Sequence, residues 1–436
     1  MTNIPTLHNF TVTCDFIYFF KVFNAGAMLT TLRQYFSPFA RRNEELRLLE
    51  IFRPLYVVLS LLGLIPCSIE FPKGKQDCVI LHRSAFNHSL CALFTLLTVY
   101  VFFAIHVHQV LTSRDDNILV DDKMAKTNYI IELVTQLIFC NAAYFCAFRR
   151  KYLYVTMLKE ITRSWDDLPY VNRGAILGYL RVKINCVIFG SLIVLFTTLM
   201  AVTYTGSSSL WKRILITLSF NLPEMIQFIV VSFYYVLVLT VVALLKNIET
   251  HCKMLLRARR SIKNNSSKVE PGRIPISLSQ MQSVYVKALR IKRQINSVFQ
   301  APILFSLLQC FHTMVSESYD ICQGLLYQDK LSTHSLVECS YWVTLQLLKV
   351  YALAHSGTLL KSQALRIGQT IHNIPTNGDD DIKLFVEIQH FSTLMSFQDP
   401  EITIFGYFPL EAPLMFNMIA AAAMYLIILV QFAKAK

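Results

Sequence analysis

Eight stretches of about twenty mostly apolar residues recur along the chain, at 48–68, 88–111, 128–148, 184–206, 223–246, 299–322, 337–360 and 410–432. A hydrocarbon core about 30 Å thick takes roughly 20 residues of helix, because each residue rises about 1.5 Å and every backbone amide must be paired within the span. The first stretch is the weakest of the eight, since it carries Arg53, Pro54, Gly63 and Pro66. An Arg-Pro pair early in a helix suits an interfacial or re-entrant segment better than a deep crossing. Demoting it leaves seven spans.

Between the fourth and fifth spans the pattern changes. A polar segment from Arg259 to Gly272 precedes Met281, Val284, Ala288, Ile291, Ile295 and Val298, which recur at three- and four-residue steps. Lys287, Arg290 and Arg293 fall on other faces, and Lys292 borders the stripe. This is an amphipathic helix. It is either laid on the inner leaflet or an extension of the fifth span that packs against neighbouring subunits.

Charge sets the orientation. With seven spans and the N-terminus inside, 31 Lys and Arg lie in the cytosolic segments and 8 in the outer ones, leaving Lys246 and Lys349 within spans. An eight-span chain would instead put residues 1–47 and their five basic residues outside, against the positive-inside rule. The sequence therefore predicts an all-α polytopic membrane protein with seven transmembrane helices, a cytoplasmic N-terminus and an extracellular C-terminus. Its expected organisation is a cytoplasmic region with an interfacial helix (1–87), spans one to four (88–250), a cytoplasmic loop and helix extension (251–298), spans five and six with a cytoplasmic anchor (299–409), and a last span (410–436). The sequons at Asn9, Asn87, Asn264 and Asn265 all fall in segments assigned to the cytosol, so no glycosylation is expected.

Composition agrees with a lipid solvent: 54% of the 436 residues are hydrophobic and only 16% charged, and the mean hydropathy is +0.44. The net charge of +13 does not indicate a nucleic-acid partner, because the basic residues sit between apolar stretches and no nucleic-acid-binding motif accompanies them. Eleven Cys occur without a C-x-x-C pair. No metal or cofactor is expected, and His106 and His108, two residues apart, do not share a helix face. No catalytic motif is found, so an enzyme is not expected.

The last span holds the most specific text. Gly406, Pro409 and Pro413 end any helix arriving from the cytosol, and a new one can start near Glu411. The segment from Ala420 to Phe432 (AAAAMYLIILVQF) is similar to the signature that closes insect gustatory receptors and the related odorant receptors: Thr-Tyr, five apolar residues, then Gln-Phe. Tyr425, Gln431 and Phe432 keep the pattern, and Met424 stands where the family usually has Thr. The run from Ile51 to Pro66 resembles the family's poorly inserted opening helix, and the long cytoplasmic loop and seven-span layout match as well.

The resemblance implies a homo- or heterotetramer in a cell membrane, with the last helix of each subunit lining a central pore for monovalent and divalent cations. On that helix Met424, Ile427, Ile428 and Gln431 share a face, an apolar strip ending in one polar ring. The same face would equally serve as ordinary helix packing. The resemblance also implies a tastant pocket in the outer half of each subunit. There the topology places Tyr129, Glu132, Gln136, Tyr204, Glu224, Gln227, Tyr234, Tyr341, Trp342 and Gln346, aromatic walls with a few polar anchors that also suit an interfacial belt. Lys349, near the middle of the sixth span, either faces a wet pocket or pairs with an acid or carbonyl of a neighbouring helix. Sugar-sensing relatives carry Glu just after the motif Tyr, and Leu426 points this chain to bitter or other non-sugar compounds. The resemblance places such a receptor in a sensory neuron dendrite. A seven-helix G-protein-coupled receptor is the alternative, but it needs an outer N-terminus. A transporter would need inverted repeats, which the sequence does not display.

Overall fold

The computed structural model describes residues 48–70, 79–81, 85–112, 123–167, 173–204, 210–263, 277–326, 333–375 and 382–434. The sequons at Asn9, Asn264 and Asn265 and the side chains of Asn87, Tyr204 and Phe432 lie outside what is described. Two short helices open the described chain, α1 (Leu48–Ile51) and α2 (Arg53–Leu61). With nine residues, α2 is only about 14 Å long and cannot cross a bilayer. The demotion of the first apolar stretch agrees with this length. Its Leu55 and Leu59 face the core, and the chain turns away at Gly63, where φ is +69°. A Cβ at Gly63 would lie 2.3 Å from the backbone nitrogen of Ala92, so only glycine lets the turn approach the first span this closely. A small antiparallel pair, β1 (Ser68–Glu70) and β2 (Val79–Leu81), follows.

The membrane-length helices are α3 (Ala85–Thr112), α4 (Lys123–Arg149), α6 (Arg173–Tyr204), α8 (Leu222–Lys263), α9 (Leu278–Leu326), α10 (Thr333–His372) and α12 (Ala412–Lys434). Each carries one of the seven expected spans. Among the described residues six helical segments are long and apolar enough to cross a membrane, α8 being counted together with the short α7 (Leu210–Ile216) and π-helical turn (Thr217–Asn221) that precede it. The helix left out is α10, whose apolar run is diluted by Glu338, Gln346 and Lys349. It is tolerated because α10 packs in the interior against α8 and α9, where those side chains find partners. Burial ranks the helices: 83% of the most apolar part of the α7–α8 segment is buried, against 6% for α12.

Two helices outside the spans are not anticipated by the pattern of long apolar stretches. Helix α5 (Lys151–Asp166) buries Tyr154, Val155, Leu158, Ile161 and Trp165 at helical spacing, and α11 (Ile382–Phe397) buries Ile388 and Phe391. Both pack on α9, which runs unbroken for 49 residues and joins the amphipathic stripe to the fifth span. The stripe is thus a helix extension, but its apolar face is consumed within the chain. All six stripe residues are buried, and Tyr285 meets Phe391 edge-on at 5.6 Å.

The polar edge of the same extension holds the root of the last helix. Lys292 donates to the carbonyls of Asp399 and Glu401, both at 2.8 Å, and Asn296 donates to that of Thr403 at 2.8 Å. A tight hairpin, β3 (Thr403–Ile404) and β4 (Phe408–Pro409), turns through Phe405 and Gly406 at positive φ and delivers the chain to α12. Lys361 of α10 clamps it by donating to Glu401 at 2.5 Å and Glu411 at 2.8 Å, and these hydrogen bonds, Glu401 first, raise its ammonium above the usual lysine range. Gly357, one turn before Lys361, would place a Cβ 1.8 Å from the carbonyl oxygen of Leu410. Backbone cannot yield there as a side-chain tip would. Gly357→Ala is therefore expected to destabilise the seat of α12 by about 1–3 kcal/mol, seen as a lower melting temperature of the purified protein. A wild-type melting curve would mean that α10 and the root of α12 are not in this contact.

Candidate functional site

Two tiers of side chains meet where α3, α4, α8, α9 and α10 converge, at the end of the bundle where α8 begins. The first tier is aromatic. Tyr129 stacks on Phe220 at 6.1 Å, Phe220 meets Trp342 edge-on at 5.3 Å, and Trp342 meets Tyr341 at 5.5 Å, with Leu133, Phe228 and Leu345 filling between them. Tyr341 shares a 2.6 Å hydrogen bond with Thr198 of α6. The hydroxyl of Tyr129 bonds Nε2 of His106 at 3.1 Å, and the other ring nitrogen of His106 bonds the Ser219 hydroxyl.

The π-helical turn explains why three consecutive residues, Ser219, Phe220 and Asn221, are all buried. A wider turn changes which positions face inward, so a regular 3.6-residue reading of this segment fails there. Ser219 supplies the His106 contact and Phe220 the centre of the aromatic tier.

One helical turn further in lies a polar tier. Glu224 Oε1 accepts from Lys349 Nζ at 2.5 Å and from Gln346 Nε2 at 3.0 Å, and its Oε2 accepts from Gln309 Nε2 at 3.0 Å. Lys349 also donates to Gln227 Oε1 at 2.6 Å, and Gln227 donates to the Ser306 hydroxyl at 2.8 Å. Glu132 accepts from Thr313 at 2.8 Å. Each of these carboxylates, amides and the ammonium is buried. Lys349 and Glu224 therefore neutralise each other where a lone charge would be costly. Of the two readings open for Lys349, the structure has it paired with an acid on a neighbouring helix.

Beside this network two amides have neither of their atoms bonded. Gln136 and Asn221 are 1% and 2% exposed, and among the described residues no hydrogen-bond partner is found for Oε1 or Nε2 of Gln136 or for Oδ1 or Nδ2 of Asn221. Buried amides of this kind are costly unless a small polar molecule or water satisfies them. Of the two, Asn221 adjoins the aromatic tier through its neighbour Phe220, and a polar group beside aromatic side chains is what a site for small amphipathic molecules needs.

Of the expected pocket residues, the structure groups Tyr129, Glu132, Glu224, Gln227, Tyr341, Trp342 and Gln346 in these two tiers, and Gln136 lies one helical turn beyond Glu132 on α4. Tyr234 stands apart, fully buried in the main core with its ring 5.7 Å from Phe299. Sequence reasoning missed Phe220, Asn221, Gln309, Thr313 and Ser306. His312 and His355 behave as packed helix residues, the first 3.3 Å from the Asn128 carbonyl and the second stacked on Tyr351.

On α12 the four residues of the expected pore face, Met424, Ile427, Ile428 and Gln431, are all exposed. Tyr425 lies between that face and the bundle, edge-on to Phe311 of α9 at 5.7 Å.

The family model for the 7tm chemosensory receptor matches residues 52–436. The chain belongs to the insect chemosensory receptor family. Over 179 residues the receptor is 24% identical to the gustatory and pheromone receptor 32a of Drosophila melanogaster, an alignment covering 40% of this chain. The chain spans only 38% of the length of that relative. Its fold is similar to that of the insect olfactory receptor OR5 from Machilis hrabei, with a TM-score of 0.65 at 13% identity over 88% of this chain and 98% of that one. The same olfactory receptor in complex with eugenol matches with a TM-score of 0.62 over equal shares. This membership makes the receptor a multi-pass membrane protein of a receptor family and does not favour the G-protein-coupled alternative.

Proposed function

We propose that this chain is a gustatory receptor subunit: a ligand-gated, non-selective cation channel in which four subunits gather their α12 helices around one pore. The observation that carries the reading is the exposure of α12. A helix this apolar and this unburied in a single chain requires lipid or other copies of itself as neighbours, and its strip from Met424 to Gln431 has the apolar constriction and polar ring that a cation gate needs. The N-terminus is cytosolic and the C-terminus external by the distribution of basic residues. Plasma membrane of a sensory dendrite follows from this role.

The tastant occupies the aromatic tier, with the amide of Asn221, next to Phe220, as its polar anchor. Leu426 favours a bitter or other non-sugar compound. Support for a small, largely apolar ligand comes from the similar receptor held in complex with eugenol, and for a contact stimulus from the relative named as a gustatory and pheromone receptor. Helix α10 links site to gate, since Trp342, Gln346 and Lys349 lie on it and Lys361, about 18 Å further along, grips the root of α12. A ligand that fits the open arrangement better than the closed one shifts the population towards current.

The test is current from membrane patches excised from a non-neuronal cell expressing the chain, exposed to a panel of tastants without nucleotides. Agonist-evoked cation current is expected, and Trp342→Ala should raise the half-maximal concentration on the order of tenfold while leaving the maximal current. A response that disappears on excision and returns with G-protein signalling would overturn the channel reading.

A further inference from the structure

At the opposite end of the bundle, α6, α8 and α10 part to enclose a cavity of about 240 Å³. Four cations line it, Lys183, Lys246, Lys253 and Arg366, against the single carboxylate of Glu249. That carboxylate is already engaged: it pairs with Lys253 and accepts from Gln363 at 2.6 Å. Lys183 and Lys246 have no carboxylate partner among the described residues. Their ammonium groups lie instead over the Tyr179 ring, 4.9 Å and 3.9 Å from its centroid. Such cation–π contacts leave the positive charge uncompensated.

The lining also includes apolar side chains of α8 and α10 and two polar ones, Ser362, whose hydroxyl donates to the Leu359 carbonyl at 3.0 Å and can still accept, and Gln363, whose amide is engaged by Glu249. On another face of α6, Val182 and Phe189, seven residues apart and so on one side of the helix, are 55% and 54% exposed, apolar surface of the kind that acyl chains cover. A concave site with excess positive charge, hydrogen-bonding groups and a lipid-facing flank recognises a phosphorylated anion. We propose that this cavity binds the phosphorylated headgroup of an anionic lipid of the inner leaflet, bridging α6, α8 and α10. The proposal rests on the orientation assigned above and not on channel activity.

The probes are dioctanoyl phosphatidylinositol bisphosphate, soluble inositol trisphosphate and dioctanoyl phosphatidylcholine, each titrated against the purified full chain in nanodiscs and read by native mass spectrometry and by melting temperature. Saturable binding of the phosphorylated lipid but not of phosphatidylcholine is expected. Each cation near an anionic headgroup contributes about 1 kcal/mol, so the pair Lys183→Gln and Lys246→Gln should weaken binding roughly 25-fold. Lys183→Arg with Lys246→Arg should keep it. Lys287→Gln, which removes a charge on another face, should leave it unchanged. Inositol trisphosphate binding as tightly as the lipid would assign the site to a free phosphate, overturning the lipid source. Equal affinity in the wild type and the double Gln variant, or an equal loss in Lys287→Gln, would overturn the site itself. The unliganded melting temperature of each variant separates lost binding from lost fold.

Discussion

Lys349→Met is expected to remove most of the folded receptor from the cell surface. The ammonium it deletes is the only cation bonded to Glu224 among the described residues, and both side chains are within 2% of full burial. A carboxylate left without its partner in such a place costs about 3–5 kcal/mol. That is comparable with the whole stability of many domains. Replacing both groups, as in Glu224→Gln with Lys349→Met, should recover much of the loss, because two neutral groups need no mutual compensation. A double-mutant cycle on the melting temperature isolates this coupling. If Lys349→Met alone is displayed and melts like the wild type, the buried pair is wrong.

The second large effect concerns the last helix. In the proposed tetramer Ile428→Asn would place an amide in the apolar strip of α12, where four copies of it would wet a constriction that closes by excluding water. The expected result is a standing cation current without agonist, blocked by neither removal nor dilution of the tastant. Ile428→Leu, which keeps the strip dry, should remain closed at rest. Silent channels in both variants with normal surface display would count against α12 as the gate.

The seven spans are legible in the sequence because lipid permits few solutions: a segment that must pair its own backbone and present apolar side chains leaves a run of about twenty residues. The reading of Lys349 could go as far as two alternatives, since charge in a span demands a partner but the helix that supplies it is a tertiary fact. Phe220 and Asn221 escaped for a different reason. They lie before the apolar stretch of the fourth span, and the π turn changes the register on which any periodic reading depends. The topology puts Tyr234 in the outer half of its span with Glu224, yet ten residues of helix carry it about 15 Å inward from Glu224, to Phe299. The stripe from Met281 to Val298 gave the helix but not its partner, because an apolar face does not say what covers it; here α5 and α11 do.

In the proposed channel α12 lines the ion path. The most direct test is the reversal potential of agonist-evoked current under sodium and chloride gradients, compared among wild type, Gln431→Glu and Gln431→Lys. A ring of charge at the outer end of the strip should raise cation selectivity in the first variant and lower it in the second, moving the reversal potential in opposite directions. Identical reversal potentials in all three, with agonist current of normal size, would contradict the account.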